Sequence, residues 1–158
     1  MKDNEPTMPP SPERVPFSGR VFAACGLWMA LLGVYFVLLR PALLPEDPRF
    51  MGTSIEALRA AAPGMERWLG HVFNVMGGFM VAAGTMTMLV AWRFLAGRAP
   101  GTLLALTVAG ASGVALMSAT NFMLQSDFRW LLLGPVLLWV AGLVCYLREG
   151  AATEAAAE

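Results

Sequence analysis

VFAACGLWMALLGVYFVLL, residues 21–39, contains no Asp, Glu, Lys or Arg. At a rise of about 1.5 Å per residue, a helix of this length crosses a hydrocarbon core about 30 Å thick. Three further runs share that property: LGHVFNVMGGFMVAAGTMTMLVAW at 69–92, TLLALTVAGASGVALMSATNFML at 102–124 and WLLLGPVLLWVAGLVCYL at 130–147. Four such runs predict an all-α integral membrane protein, a bundle of four transmembrane helices over about 17–39, 68–92, 102–124 and 129–147.

The rest of the composition agrees with that reading. Of the 158 residues 14% are charged, against about 25% in soluble domains. The charges fall in the gaps between the runs, which leaves no room for a soluble domain beside the 17–148 bundle. A formal net charge of zero gives no reason to propose a nucleic-acid partner. The first sixteen residues, MKDNEPTMPPSPERVP, are polar and carry five prolines, so they are expected to be disordered. No cleavable signal peptide is expected, because the first apolar run is too long for a signal h-region and no small-residue cleavage site follows it. The tail 149–158, EGAATEAAAE, is expected to be acidic and flexible.

The first loop, about 40–67, is the one sizeable element outside the runs. PALLPEDPRFMG reads as turns. Thr53 and Glu56 then make a T-x-x-E capping box, which predicts a short helix ending near Ala62. Ile55, Leu58 and Ala62 give that helix one apolar face, suited to lying on the membrane surface. The later links, 93–101 and 125–129, are tight, so helices 2, 3 and 4 are expected to be antiparallel neighbours. Pro135, inside helix 4, predicts a kink through the freed carbonyl of Leu131.

Orientation follows from Lys and Arg. Lys2, Arg14, Arg20, Arg93, Arg98 and Arg148 fall on the side of the termini, and Arg40, Arg49, Arg59, Arg67 and Arg129 on the other. Arg93 and Arg98 crowd a short loop, so both termini are expected in the cytoplasm. Trp68, Trp92 and Trp130 sit at run ends, as interfacial anchors do. Cys25 and Cys145 lie inside runs at similar depth and read as idle thiols.

Two patterns stand out within the runs. Gly70, Gly77, Gly84 and Ala91 recur every seven residues, nearly two helical turns, and form one stripe of small residues on helix 2. Small residues let two backbones approach closely, and helix 3 offers matching material in Ala105, Ala109 and Gly113, helix 1 in Gly26, Ala30 and Gly33. The second pattern is polar. Arg67, His71 and Asn74 share a face at the start of helix 2, and Ser118, Asn121 and Gln125 share one at the end of helix 3, with Asp127 in the link beyond. All seven lie at the loop-1 side of the membrane. Amides one or two turns inside a membrane need partners, so a network joining helices 2 and 3, or a small polar pocket there, is expected.

Chemistry beyond binding has little material. His71 is the only histidine, and Asp127 is its one plausible carboxylate partner by level, so a membrane enzyme would need these two within hydrogen-bond reach, and a non-enzyme is expected ahead of it. One His and two distant Cys do not make a zinc site, and the methionines of helix 2 read as apolar filling rather than haem ligands. No cofactor is expected. No ionisable residue lies near the middle of a run, which argues against an autonomous coupled transporter.

The extended first loop RPALLPEDPRF, the glycine-containing helix HVFNVMGGFMVAAG and the tight later loops resemble small bacterial four-helix membrane proteins, loosely the DoxX-like group. The resemblance covers about 20–148 and implies a plasma-membrane protein, with no residue roles to carry over. The expected function is that of an interaction or accessory component, as a homo-oligomer or beside a membrane-protein partner in the lipid bilayer. The alternative is a binding or channel-like subunit for a small lipophilic molecule held by the polar cluster.

Overall fold

The computed structural model describes residues 15–156. The expected disorder of the first sixteen residues falls almost wholly outside them. Among the described residues every regular element is helical. α1 is Phe17–Leu38, α2 Glu46–Met51, α3 Ile55–Ala61 and α4 Met65–Arg93. The third span is α5, Thr102–Gly110, a π-helical turn Ala111–Ala115 and α6, Leu116–Met123; α7 is Arg129–Ala155. Four helices are long and apolar enough to cross a membrane: α1, α4, the α5–α6 span and α7. Trp68, Trp92 and Trp130 all point outward from span ends.

α1 is the centre of the bundle. It packs along most of its length on α4 and along part of it on α7, and the α5–α6 span leans on α7. The α1–α4 contact is made by glycines. A Cβ at Gly26 would stand 2.7 Å from the carbonyl oxygen of Gly84, one at Gly33 2.6 Å from that of Gly77, and one at Gly19 2.8 Å from that of Ala91. In each pair the residue numbers add to the same value, as an antiparallel register requires. Gly77, Gly84 and Ala91 thus face Gly33, Gly26 and Gly19, three glycines that are also seven apart. Gly70 differs from its three companions: nothing lies within 4 Å of a Cβ there.

The expected partner of the helix 2 stripe was helix 3 as well as helix 1. In the structure α4 meets α1, and a cleft of about 430 Å³ lies between α4 and the third span, with Ala105, Ala109 and Gly113 on its wall. A short link keeps two helix ends near each other, but does not decide which flanks touch. Close backbone approach holds α4 to α1, whereas the third span is held to α7 by a buried tryptophan. Trp139, 4% exposed, donates its indole N–H to the carbonyl of Leu106 at 2.9 Å. Gly110 gives the ring its room: its missing Cβ would overlap the indole. The π-helical turn begins at the next residue.

The core lies in the half of the bundle nearer the termini. Phe22 meets Trp139 edge to face at 5.2 Å, with Cys25, Ala91, Leu95, Leu106, Val114 and Tyr146 around them. The Cys25 thiol donates to the carbonyl of Pro135 at 3.4 Å, and both cysteines are free. α7 runs unbroken past Pro135 and past its expected end near Leu147. Its extension is anchored: Ser18 donates its backbone N–H to Oε1 of Glu149 at 2.9 Å and its hydroxyl to Oε2. A carboxylate thus closes the first turn of α1, where free N–H groups favour negative charge. Arg98 adds a second tie, donating to the carbonyl of Tyr146 at 2.8 Å with its guanidinium over that ring.

The first loop departs from its sequence reading in two places. PEDPRFM contains a helix, α2, rather than turns alone. Pro48 is tolerated because it falls in the first turn, whose N–H groups have no helical partner. α3 is capped by Ser54, whose hydroxyl accepts from the N–H of Ala57 at 3.2 Å, and not by Thr53. Thr53 is already engaged: its N–H donates to the carbonyl of Pro48 and completes the end of α2 behind left-handed Gly52. Hydrogen bonds from its own backbone N–H and from Ser54 hold the Glu56 carboxyl below its ordinary range.

Candidate functional site

At the loop-1 end the chain leaves α1 through Arg40. Its guanidinium carbon stands 3.5 Å from the centre of the Phe73 ring and 5.2 Å from that of Phe36. The group donates to the carbonyl of Pro41 at 2.8 Å. This cation is seated on two aromatic faces, an attraction that strengthens with desolvation. Burial lowers the Arg40 pKa, and Asp47, Tyr35 and Glu46 act in the other direction; a guanidinium stays charged through such a shift. Asp47 accepts the N–H of Leu44 at 2.8 Å.

Glu46, 5% exposed, accepts a hydrogen bond from the hydroxyl of Ser126 at 3.0 Å, and that hydroxyl accepts the N–H of Phe128 at 3.2 Å. This pair fastens α2 to the link between the third span and α7. The link itself is a Schellman end: Ser126 N–H returns to the carbonyl of Asn121 at 3.0 Å and Gln125 N–H to that of Phe122 at 3.1 Å. Gln125 takes the left-handed position at φ +50°. Arg129 holds the same turn through the carbonyls of Gln125 and Ser126.

Between these parts lies a cavity of about 260 Å³. α1 supplies Leu32, Tyr35 and Phe36, and Arg40 closes one side. Met117 and Asn121 come from α6, Leu131 and Leu132 from α7, and Leu44, Ser126 and Phe128 from the connecting segments. Asn121 spends one amide hydrogen on the carbonyl of Met117 at 2.9 Å.

The seven polar residues singled out in the sequence divide into separate places. Asn121 lines the cavity, and Ser118, one turn before it on α6, is buried. Gln125 and Asp127 border a second, polar depression with Glu46, Arg49 and Arg129, where Asp127 pairs with Arg49 at 3.0 Å. Arg67, His71 and Asn74 are exposed on α4, which does not pack on the third span. The structure therefore brings the two halves of the cluster to the same end of the bundle without joining them. Arg40, Tyr35, Glu46 and Ser126 were missed. Arg40 read as a helix terminator and Glu46 as part of a turn; the usable signal was an Arg at the end of an apolar run, one turn after a Tyr-Phe pair, with two acids six and seven residues on.

The described chain is thus an all-helical protein with four helices apolar enough to cross a membrane and a cavity at one end of them. No protein-family model, no curated protein and no solved structure matches it.

Proposed function

We propose that this is a multi-pass protein of the cell membrane that acts as an interaction or accessory component, and that it associates with a second copy of itself through α4. The supporting observation is the exposed face carrying His71, Asn74 and Gly78. Asn74 lies roughly two turns past the outward-facing Trp68, on a helix whose other flank is taken by α1. An amide facing hydrocarbon lacks the partners water would give it. Beside it nothing stands within 4 Å of a Cβ at Gly78, so a second helix has room to come close.

A two-fold axis along the membrane normal is the natural arrangement, because it sets a patch against itself. An amide both donates and accepts, so Asn74 meets Asn74 of the partner subunit with its hydrogen bonds satisfied. Such intramembrane bonds are worth about 0.6–2 kcal/mol each. Native mass spectrometry of protein released from native-lipid nanodiscs tests the reading. A dimer that becomes monomeric in Asn74→Leu and Gly78→Leu, with unchanged helix content, is the expected result. A wild-type monomer, or a dimer indifferent to both substitutions, ends the α4 interface.

The proposed orientation keeps both termini cytoplasmic. Ala60, exposed on α3, is the position to probe, since it leaves the Ser54 cap intact. Ala60→Cys should react with a membrane-impermeant thiol reagent in intact cells; reaction only after lysis inverts the topology.

A further inference from the structure

The cavity beneath the first loop has chemistry of its own, independent of the α4 face. We infer that it binds an uncharged lipophile by a carbonyl oxygen, an ester or ketone on a largely hydrocarbon body, with Arg40 and Asn121 as donors.

Three observations lead there. The first is an excess of donors. Arg40 carries five N–H groups and uses some of them on the carbonyls of Pro41 and Ala42. Asn121 has a second amide hydrogen beyond the one given to Met117, and Tyr35 also lines the cavity. Ser126 offers nothing further, being engaged with both Glu46 and Phe128. A ligand that accepts hydrogen bonds complements this wall.

The second is charge. Asp47 and Glu46 lie close enough to Arg40 to act on it electrostatically, so its positive charge already has acidic company. A carboxylate or phosphate headgroup would meet those acids as well as the guanidinium, whereas a carbonyl takes the hydrogen bond and brings no charge. The Phe36 and Phe73 rings keep the guanidinium in place, so the donor does not swing out to seek an anion.

The third is the remaining wall and the size. Leu32, Met117, Leu131 and Leu132 present hydrocarbon to the rest of the space. At about 260 Å³ the cavity falls just under the usual range of about 300–1,000 Å³ for drug-sized ligands. It takes one carbonyl group and the first carbons of a chain rather than a whole phospholipid.

The test compares three probes of matched chain length on the purified wild-type protein: monocaprin, which has an ester carbonyl, its ether analogue decylglycerol, which has none, and decanoate, which is charged. Saturable binding of monocaprin roughly tenfold tighter than either other probe is expected, the loss of one hydrogen bond in a dry site being of that order. Asn121→Leu should remove most of the preference for monocaprin over decylglycerol, and Met117→Trp, which fills the space, should abolish binding of all three. Both variants are checked for wild-type helix content; if misfolded, Met117→Trp is replaced by Leu132→Phe and Asn121→Leu by Asn121→Ala. Tightest binding of decanoate overturns the inference, as does equal binding of all three or no saturable binding.

Discussion

Gly84→Leu is expected to cost about 3 kcal/mol or more, the upper end of the usual overpacking range. The side chain would be driven not into another side chain but into backbone. A Cβ at Gly84 already overlaps the carbonyl oxygen of Gly26, and the amide nitrogen of Ala30 stands 2.6 Å away. Side chains evade a clash by changing rotamer; a helix backbone moves only as a whole. The α1–α4 pair must therefore separate along its length, which loosens Gly33 against Gly77 and Gly19 against Ala91 as well. Gly70→Leu is the control, because no atom lies within 4 Å of its Cβ. Denaturation of detergent-solubilised protein by increasing dodecyl sulfate reads the difference. A large fall in midpoint at Gly84 and none at Gly70 is expected, and equal falls at both would refute the glycine register.

Gly110→Leu should be nearly as damaging, for a different reason. Its Cβ would enter the space of the Trp139 indole, and the ring cannot yield without breaking its bond to the Leu106 carbonyl. A buried indole N–H left unpaired adds about 1–3 kcal/mol to the steric cost. Trp139→Phe alone is expected to lose about 1–2 kcal/mol, from the hydrogen bond and part of the packing. Because Gly110 and Trp139 touch, the two losses should not add. In the double variant the smaller phenyl ring gives the leucine room, so the pair together should cost clearly less than the sum. Strict additivity in the same denaturation assay would mean that this contact does not hold the third span to α7.

How much of this was legible beforehand depends on distance along the chain. The spans were readable because hydrocarbon thickness and helix rise set their length residue by residue. The glycine spacing on α4 was readable as a packing stripe, and the same spacing on α1 was there to be read at Gly19, Gly26 and Gly33. The choice between α1 and the third span as partner was not readable, since both carry small residues. It depends on register over fifty residues and on Trp139 claiming the far side of the third span. The short-range errors are of another kind. Thr53 lost the cap of α3 to Ser54 because α2, a helix that the prolines of PEDPRF concealed, had already taken the Thr53 amide.

The candidate site shows the same limit more sharply. Depth in the membrane could be counted from the sequence, so Asn121, His71 and Asn74 were placed at the right end of their helices. Rotation of one helix about another could not, and the cluster divides between α6 and the outer face of α4. Arg40 escaped notice because its partners, Phe36 and Phe73, belong to two different spans. Phe36 lies one turn before Arg40, but Phe73 reaches it only through the α1–α4 register.

The Glu149–Ser18 tie has a consequence for the order in which the protein is made. Ser18 leaves the ribosome more than a hundred residues before Glu149 does. Until Glu149 arrives the Ser18 N–H lacks its carboxylate, although α4 is already there to meet the glycine face of α1. The first long helix made is thus the last to receive its N-terminal partner. Three of the four long apolar helices can therefore be made in full before the start of α1 receives the carboxylate of Glu149.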